Sequence, residues 1–304
     1  MRSGFAVSFN QPNLSTVATW NRNGIIFANE SILGVMRSDI VIDTKNLVYI
    51  LSEEKKRIFV WHNNSINPTQ NISANFGDLK SIFVTTNGDI YVSAHLTQGS
   101  TFIMRWISET NAFTLACKFS YQCDDIFIDI DDNIYCSMSS GNVVFKRNLK
   151  SPKNQIVVAG MNGPGSDSNQ LIYPCGIFVD VNFDLFVADS GNNRIQLFLF
   201  GETNAITVAG RQSTRPTIEL YMPTGITLDA KKYLFIVEEY YNRIVGEGPC
   251  GFRCLIGCYE GDTESRQRLY PYSMSFDSLG NIFHTDSRNN RIIKYQLTEI
   301  SSGE

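Results

Sequence analysis

The chain has 304 residues, of which 43% are hydrophobic and 18% are charged, and its formal net charge is −4. This composition excludes a disordered chain, because it supplies enough apolar surface to bury a large core. The apolar runs fall short of the roughly 18 residues that a membrane-spanning helix needs, so no membrane insertion is expected. A slightly acidic chain also argues against nucleic acid as a partner, because phosphate binding depends on clustered Lys and Arg.

One unit recurs six times along the chain and is clearest at residues 176–198, GIFVDVNFDLFVADSGNNRIQLF. In each copy an apolar run ends at an anchor residue, and a polar turn and further short apolar runs follow. The anchors are Asp43, Thr85, Asp129, Asp180, Asp229 and Asp277, spaced 42, 44, 51, 49 and 48 residues apart. Such a period is typical of propeller blades, whose four strands we call a to d. The sequence predicts one all-β domain over residues 1–304, a six-bladed β-propeller with four antiparallel strands per blade.

The first and last segments are predicted to close the ring of blades. After an N-terminal extension over 1–23, the run GIIFAN at 24–29 stands about fifteen residues before the first anchor, where other units have strand d. The last unit ends after its strand c, near Leu297. The N-terminal run should therefore complete blade six and remove two exposed sheet edges. STVATW at 15–20 is expected either to add to this closure or to pack beside it.

The units resemble NHL repeats over about residues 24–297. The motifs that carry the resemblance are ADSGNNRI at 188–195, TDSRNNRI at 285–292, YYNRI at 240–244 and Pro-x-Gly linkers at 174–176 and 223–225. The family's fold is a six-bladed propeller, and its members are mostly binding platforms for RNA or protein. The stretch GFRCLIGC at 251–258 looks like that of extracellular NHL-repeat proteins of animals. The resemblance implies a non-enzymatic interaction scaffold; a relative, the peptide α-amidating lyase, is a zinc enzyme and implies the alternative of a metal-dependent lyase or hydrolase.

Two charged positions recur around one hairpin turn. Fourteen residues after their anchors stand Arg57, Arg194, Arg243 and Arg291, and nine residues after theirs stand Asp189, Glu238 and Asp286. Repetition in several blades favours a structural pair that fixes the hairpin over a ring of charges that binds a ligand. These residues are therefore predicted to form repeated cross-strand or inter-blade pairs.

Neither zinc nor calcium is expected, and the predicted cofactor set is empty. A zinc site of the lyase type would need His62, His95 and His284 to converge, but they stand at three different positions relative to their anchors. His284 is instead predicted to be a hydrogen-bonded core residue. The acidic run also contains Asp129, Asp131 and Asp132, but a strand about 13 Å long, at roughly 3.3 Å per residue, separates these three from Asp124 and Asp125.

Seven cysteines favour an oxidising compartment, although an odd number leaves at least one thiol free. Cys136 is expected to be a buried thiol, and Cys117 with Cys123 has the easier route to a disulfide. Cys254 and Cys258 would be about 13 Å apart in a straight strand, so a bond there needs a bulge or turn. The predicted location is extracellular or secretory, with the cytoplasm as the alternative. Because MRSGFAVSFNQPNL has no visible signal peptide, the chain is expected to be N-terminally incomplete or a fragment.

The predicted binding surface is the top face, where the d–a and b–c loops surround the mouth of the channel. Its expected residues are Asp39, Lys80, Asp124, Asp125, Thr224 and Tyr272 before strand a, with Glu53, Glu54, His95, Asp189, Glu239, Tyr240, Tyr241 and Arg288 in the hairpin loops. Acidic groups outnumber basic ones, so a protein or peptide ligand of basic or mixed charge is expected. Tyr240 and Tyr241 are the predicted anchors of that ligand. A monomer or a module of a larger protein is expected.

Overall fold

The structure is a computed structural model that describes residues 9–35, 38–62, 65–96, 99–151, 154–214, 216–258 and 269–298. It begins with β1 (Thr19–Trp20), β2 (Ile25–Ala28) and the short helix α1 (Glu30–Leu33). Blades 1 to 3 consist of β3 (Ser38–Ile42), β4 (Val48–Ser52), β5 (Arg57–Trp61) and β6 (Gln70–Ser73); β7 (Asp78–Val84), β8 (Ile90–Leu96), β9 (Ser100–Ile107) and β10 (Ala112–Phe119); and β11 (Asp125–Ile128), β12 (Asn133–Met138), β13 (Val143–Asn148) and β14 (Gln155–Ala159).

Blades 4 to 6 continue the same order. They consist of β15 (Pro174–Val179), β16 (Leu185–Asp189), β17 (Arg194–Phe198) and β18 (Ile206–Gly210); β19 (Pro223–Leu228), β20 (Leu234–Glu238), β21 (Arg243–Gly248) and β22 (Gly251–Ile256); and β23 (Pro271–Phe276), β24 (Ile282–Asp286), β25 (Arg291–Tyr295) and β2. A last strand, β26 (Leu297–Thr298), pairs with β1. The prediction of six blades, each with four antiparallel strands, is confirmed.

The N-terminal strand closes the ring, as predicted. β2 is the outermost strand of blade 6 and runs antiparallel to β25, with Ile25 opposite Lys294 and Ala28 opposite Ile292. The segment at 15–20 adds to the closure, because its last two residues form β1 and pair with β26. Closure covers two strand edges that would otherwise be open to other chains.

The anchor aspartates form the a–b turns. Asp180 is buried, and its Oδ1 accepts the backbone N–H groups of Asn182 at 2.8 Å and Asp184 at 3.0 Å. The same two bonds, to the residues two and four positions later, are made by Asp43, Asp129, Asp229 and Asp277. In blade 2 the Thr85 hydroxyl accepts the later of the two, from Asp89. The repeated aspartate is therefore a turn residue of the bottom face.

The N-terminal extension crosses the bottom of the channel. Phe9 packs against Phe127 and Phe178 of two innermost strands, with ring centroids 5.2 and 4.9 Å away. The Asn10 amide donates to the backbone oxygen of Asp43 at 2.9 Å, and farther along Leu14 is buried. The described part of the extension, which begins at residue 9, is therefore part of the folded propeller and covers the bottom of the channel.

The two disulfides differ from those expected. Cys123 bonds Cys136, with Cα atoms 5.4 Å apart, so Cys136 is not a free thiol and the expected bond from Cys117 to Cys123 is wrong. The reason is that Cys123 lies beside strand b of its own blade, whereas Cys117 lies on the outermost strand of blade 2. Cys254 bonds Cys258, with Cα atoms 5.6 Å apart.

The second disulfide depends on two local irregularities of β22. The register slips between the pairs Ile244–Ile256 and Val245–Cys254, so Leu255 is an extra residue, a β-bulge. Gly257 then adopts a φ of +75°, which turns the chain back toward the strand. Together these features shorten the distance that a straight strand would impose.

We expect that deletion of residues 1–30 lowers the melting temperature, makes unfolding less cooperative and promotes aggregation. The deletion removes β1, β2 and the segment under the channel, and it exposes the edge of β25. Differential scanning calorimetry and light scattering measure both effects. An unchanged melting transition after this deletion would contradict the closure.

Candidate functional site: the top-face cavity and its loops

The innermost strands of the six blades surround a cavity of about 100 Å³. Four residues before each anchor, these strands place one residue at the same level, which we call the waist ring: Asp39, Ser81, Asp125, Gly176, Gly225 and Ser273. Blades 4 and 5 approach each other so closely that a Cβ on Gly176 would lie 2.6 Å from the Thr224 carbonyl oxygen. Side chains therefore fill the ring on the side of blades 1 to 3 and at blade 6.

Asp39 is the most fully bonded member of the waist ring. Its Oδ1 accepts the Ser273 hydroxyl at 2.6 Å and the Ile40 N–H at 2.9 Å. Its Oδ2 accepts the Ser81 hydroxyl at 2.8 Å and the Ile82 N–H at 3.0 Å. Four donors satisfy the lone pairs of a carboxylate, so this arrangement favours the ionised form of Asp39. Its bonds join blades 6, 1 and 2.

Asp125 continues the ring across blades 3 and 4. Its Oδ1 accepts the Ile126 N–H at 2.8 Å, and its Oδ2 accepts the Ile177 N–H of the next blade at 2.9 Å. Its Oδ1 also lies 2.8 Å from the Ser81 hydroxyl oxygen. A serine carries one hydroxyl proton, which it cannot donate to two carboxylates at once. When Ser81 donates that proton to Asp39, the short contact to Asp125 is a hydrogen bond only if Asp125 carries a proton.

Burial and the neighbouring charge favour the same protonation state. Burial, followed by repulsion from Asp39, raises the pKa of Asp125 from 3.8 to about 7. Burial also raises the pKa of Asp39, although its hydrogen bonds oppose that shift. Because they interact, the two carboxyls titrate as a coupled pair.

The loops above the waist ring carry the other residues that were predicted before strand a, and each of these residues contacts a different partner. Lys80 lies 3.3 Å from Glu53, and Asp124 accepts the Ser139 N–H at 2.7 Å. Thr224 donates to the backbone oxygen of Tyr272 at 3.1 Å. With the waist ring, these loops bring Lys80, Asp124, Thr224 and Tyr272 around one cavity. Cys175 lines the same cavity and was missed, because the sequence offered no partner for it.

Other predicted top-face residues serve the loops themselves. His95 is buried, with Nε2 3.0 Å from the Cys123 carbonyl oxygen, and Glu54 accepts the Val35 N–H at 2.6 Å. Asp189 is fully buried, so this residue, expected to be both a top-face binding residue and a structural partner, is not available to a ligand in this structure.

The repeated acid–arginine pairs, whose acids are fully buried, hold the d–a linkers. The pairs are Asp189–Arg194 at 2.7 Å, Glu238–Arg243 at 2.6 Å and Asp286–Arg291 at 2.8 Å, each through the arginine Nε. Each acid also accepts a backbone N–H of the linker that enters its blade, from Ile172, Tyr221 and Tyr270 respectively. Arg57 differs, because it is exposed and faces Ser52 across its hairpin instead of an acid. The pairs thus fix the top-face loops of blades 4 to 6.

Three tyrosines form an exposed cluster on blade 5. The Tyr221 ring lies 4.2 Å from that of Tyr240 and 5.9 Å from that of Tyr241. The Arg243 guanidinium lies 4.8 Å from the Tyr241 ring. Tyr240 and Tyr241 were singled out from the sequence, whereas Tyr221 was missed because it precedes a linker proline, where only a loop was expected. We call these three residues the tyrosine cluster.

The cluster is bordered by a charged pair. Arg288 lies 3.8 Å from Glu239 and its guanidinium lies 4.6 Å from the Tyr270 ring. The two charges therefore remain on the rim of the top face, where an exposed pair contributes little to stability. They can exchange partners with a ligand at low cost.

The three histidines lie apart. His62 is exposed after β5, His95 is buried in blade 2, and His284 is buried in blade 6, where its ring stacks on Tyr295 at 5.6 Å. His284 Nδ1 lies 3.1 Å from a carbonyl oxygen, and burial lowers its pKa to about 4. Among the residues that the structure describes, no group of three or more His, Cys, Asp and Glu side chains could hold a metal ion.

The fold and the cavity define the chain as a six-bladed β-propeller. Solved structures similar to it include a streptogramin B lyase, with 15% identity, a TM-score of 0.62 and coverage of 91% of this chain and 98% of the other. A nidogen/laminin complex matches at 16% identity and TM-score 0.61, covering 79% and 86% of the two chains. A gluconolactonase from Xanthomonas campestris matches at 11% identity and a TM-score of 0.61, with coverage of 98% of this chain and 99% of the other. No family model and no curated protein matches. At these identities the likeness shows the fold alone.

We expect the contribution of Asp125 to the free energy of unfolding to fall as pH rises from about 4 to about 7. The folded pKa of Asp125 is raised, so the folded chain keeps a proton that the unfolded chain releases over this interval. Asp125→Asn imitates the protonated form, so it should flatten this slope and add roughly 1–2 kcal/mol near pH 8. Urea denaturation at several pH values measures the slope as a difference from the native chain.

Asp39→Asn is the matched control for this prediction. Its amide cannot accept all four hydrogen bonds, so we expect it to be destabilised by about 2–4 kcal/mol at every pH. If the two variants had the same free energy of unfolding and the same slope with pH, the assignment of the proton to Asp125 would be contradicted.

Proposed function

We propose that the protein is a non-enzymatic, NHL-type propeller that binds a segment of a protein or peptide across its top face. The observation that carries the proposal is the exposed tyrosine cluster beside the cavity. Aromatic side chains offer large contact areas with little loss of side-chain entropy, which makes them effective binding anchors. The acid–arginine pairs support the same function, because they hold the loops in place before a ligand arrives.

We propose a ligand of basic or mixed charge, in preference to nucleic acid. Asp124 lines the cavity beside the hydrogen-bonded carboxyls of Asp39 and Asp125, and Lys80, which also lines it, already faces Glu53. A Lys or Arg side chain of a peptide would meet this acidic surface, whereas a phosphate backbone would be repelled by it. The protein would act as a monomer or as a module of a larger protein.

We also propose an extracellular or secretory location, with the cytoplasm as the alternative. Two disulfides support an oxidising compartment, because such bonds rarely persist in the cytosol. Among the described residues, no helix is long and apolar enough to cross a membrane. The free thiols of the described chain are Cys117, Cys175 and Cys250.

A panning experiment with a random peptide library tests the binding function. We expect the native chain to enrich peptides that combine an aromatic or apolar residue with Lys or Arg, and Tyr240→Ala with Tyr241→Ala to lower their recovery at least about tenfold. Phe200→Ala is the control, because Phe200 is an exposed aromatic residue outside the cluster, in the c–d turn of blade 4. Equal recovery by the native and double-variant chains would remove this face as the binding site.

Catalysis inside the cavity is the second candidate function. The observation that favours it is the pair of carboxyls, Asp39 and Asp125, that lines the cavity and meets at Ser81, where burial raises the pKa of Asp125 to about 7. Metal analysis followed by assay with a peptidyl-hydroxyglycine and a lactone separates the candidates. Turnover that Asp125→Asn abolishes, or stoichiometric metal with turnover, would favour the enzyme over the binding module.

A further inference from the structure

Two large top-face residues adopt a backbone conformation that disfavours side chains. Tyr173 and Met222 each have a φ of +48°, a region that glycine occupies at lower cost. They stand at the same place in successive blades, directly before the linker prolines Pro174 and Pro223. Their side chains are 60% and 48% exposed, so they contribute little to the core.

Each of these residues is held by the preceding blade. The Tyr173 N–H donates to Asn142 Oδ1 at 3.0 Å, and the Met222 N–H donates to Asn193 Oδ1 at 2.9 Å. The two asparagines are themselves left-handed residues at the ends of b–c turns. The chain thus maintains a costly conformation twice and uses it to display an apolar side chain. Strain of this kind, kept where burial does not explain it, points to contact with a ligand.

Each of the two residues stands within two positions in the chain of a residue of the cavity or of the tyrosine cluster. Cys175, which lines the cavity, contacts the Tyr173 carbonyl oxygen through its sulfur at 3.6 Å. Met222 follows Tyr221 in the chain, and the Tyr221 ring is 4.2 Å from Tyr240. The linkers that enter blades 4 and 5 therefore each carry an exposed apolar side chain close in the chain to the cavity or to the tyrosine cluster.

We propose that Tyr173 and Met222 bind an apolar side chain of an extended peptide segment whose neighbouring Lys or Arg reaches Asp124 at the cavity. Asp124 favours this occupant, because its carboxylate at the cavity complements a cation. The proposal rests on the proposed function and extends that surface from the tyrosine cluster to the cavity. The left-handed conformation aims both side chains before binding, so less ordering is needed when the segment arrives.

The test uses the full chain and immobilised decapeptides in which single positions are fixed as Leu, Tyr, Ser, Lys or Glu. Tyr173→Gly with Met222→Gly removes both side chains and relieves the backbone cost. We expect this variant to lose at least about tenfold in binding to peptides with an apolar residue next to Lys, while its melting temperature stays equal or rises. Tyr173→Asn, which suits the left-handed region without an apolar side chain, should lose binding as well.

Phe183→Gly is the matched control, because Phe183 also has a positive φ, +66°, but lies in an a–b turn on the bottom face. It should bind peptides as the native chain does. If the native chain binds and the glycine double variant binds equally well, Tyr173 and Met222 are not ligand contacts, although the proposed function stands. A loss of binding together with a lowered melting temperature would show a structural role and overturn the inference. A native chain that binds no decapeptide would overturn the proposed function itself.

Discussion

The structure depends on the meeting of six strands around one axis. An innermost strand can take its place only if its residue in the waist ring packs against, or bonds to, the waist-ring residue of the next blade. Blades 4 and 5 meet this requirement with Gly176 and Gly225, which let two backbones approach. Blades 1 to 3 meet it with a hydrogen-bonded series, Asp39 to Ser81 to Asp125. The ring thus combines close backbone packing on one side with a polar network on the other, and that network supplies the acidic lining of the cavity.

The acid–arginine pairs farther out in the blades hold the top-face loops against the sheets. A fully buried acid, such as Asp189, bonds an arginine of its own hairpin and also the backbone of the incoming linker. Removal of either partner would leave a buried charge unpaired, so linker and hairpin are coupled. The top-face loops of blades 4 to 6 consequently behave as extensions of the sheets, which suits a surface that recognises a ligand in a fixed geometry.

Repetition made the fold predictable from the sequence, because each unit carries the same anchor, turn and apolar runs. The closing strand was predictable for the same reason, since β2 takes the place in blade 6 that strand d has in the other blades. The disulfides were not, because a bulge at Leu255 and a left-handed Gly257 change distances that a straight strand fixes. The link between Asp39 and Asp125 was also hidden. It depends on Ser81, which only the closed ring brings between them.

The pairing of β1 with β26 has a consequence for chain order. Thr19 and Thr298 face each other across this small sheet, and their hydroxyl oxygens are 2.6 Å apart. A circular permutation that keeps residues 9–18 ahead of β1 requires a linker from Thr298 to Phe9, with new ends in an exposed bottom-face turn. In this propeller the order in which the blades are synthesised is therefore separable from their arrangement in space, and a circularly permuted gene could encode the same ring.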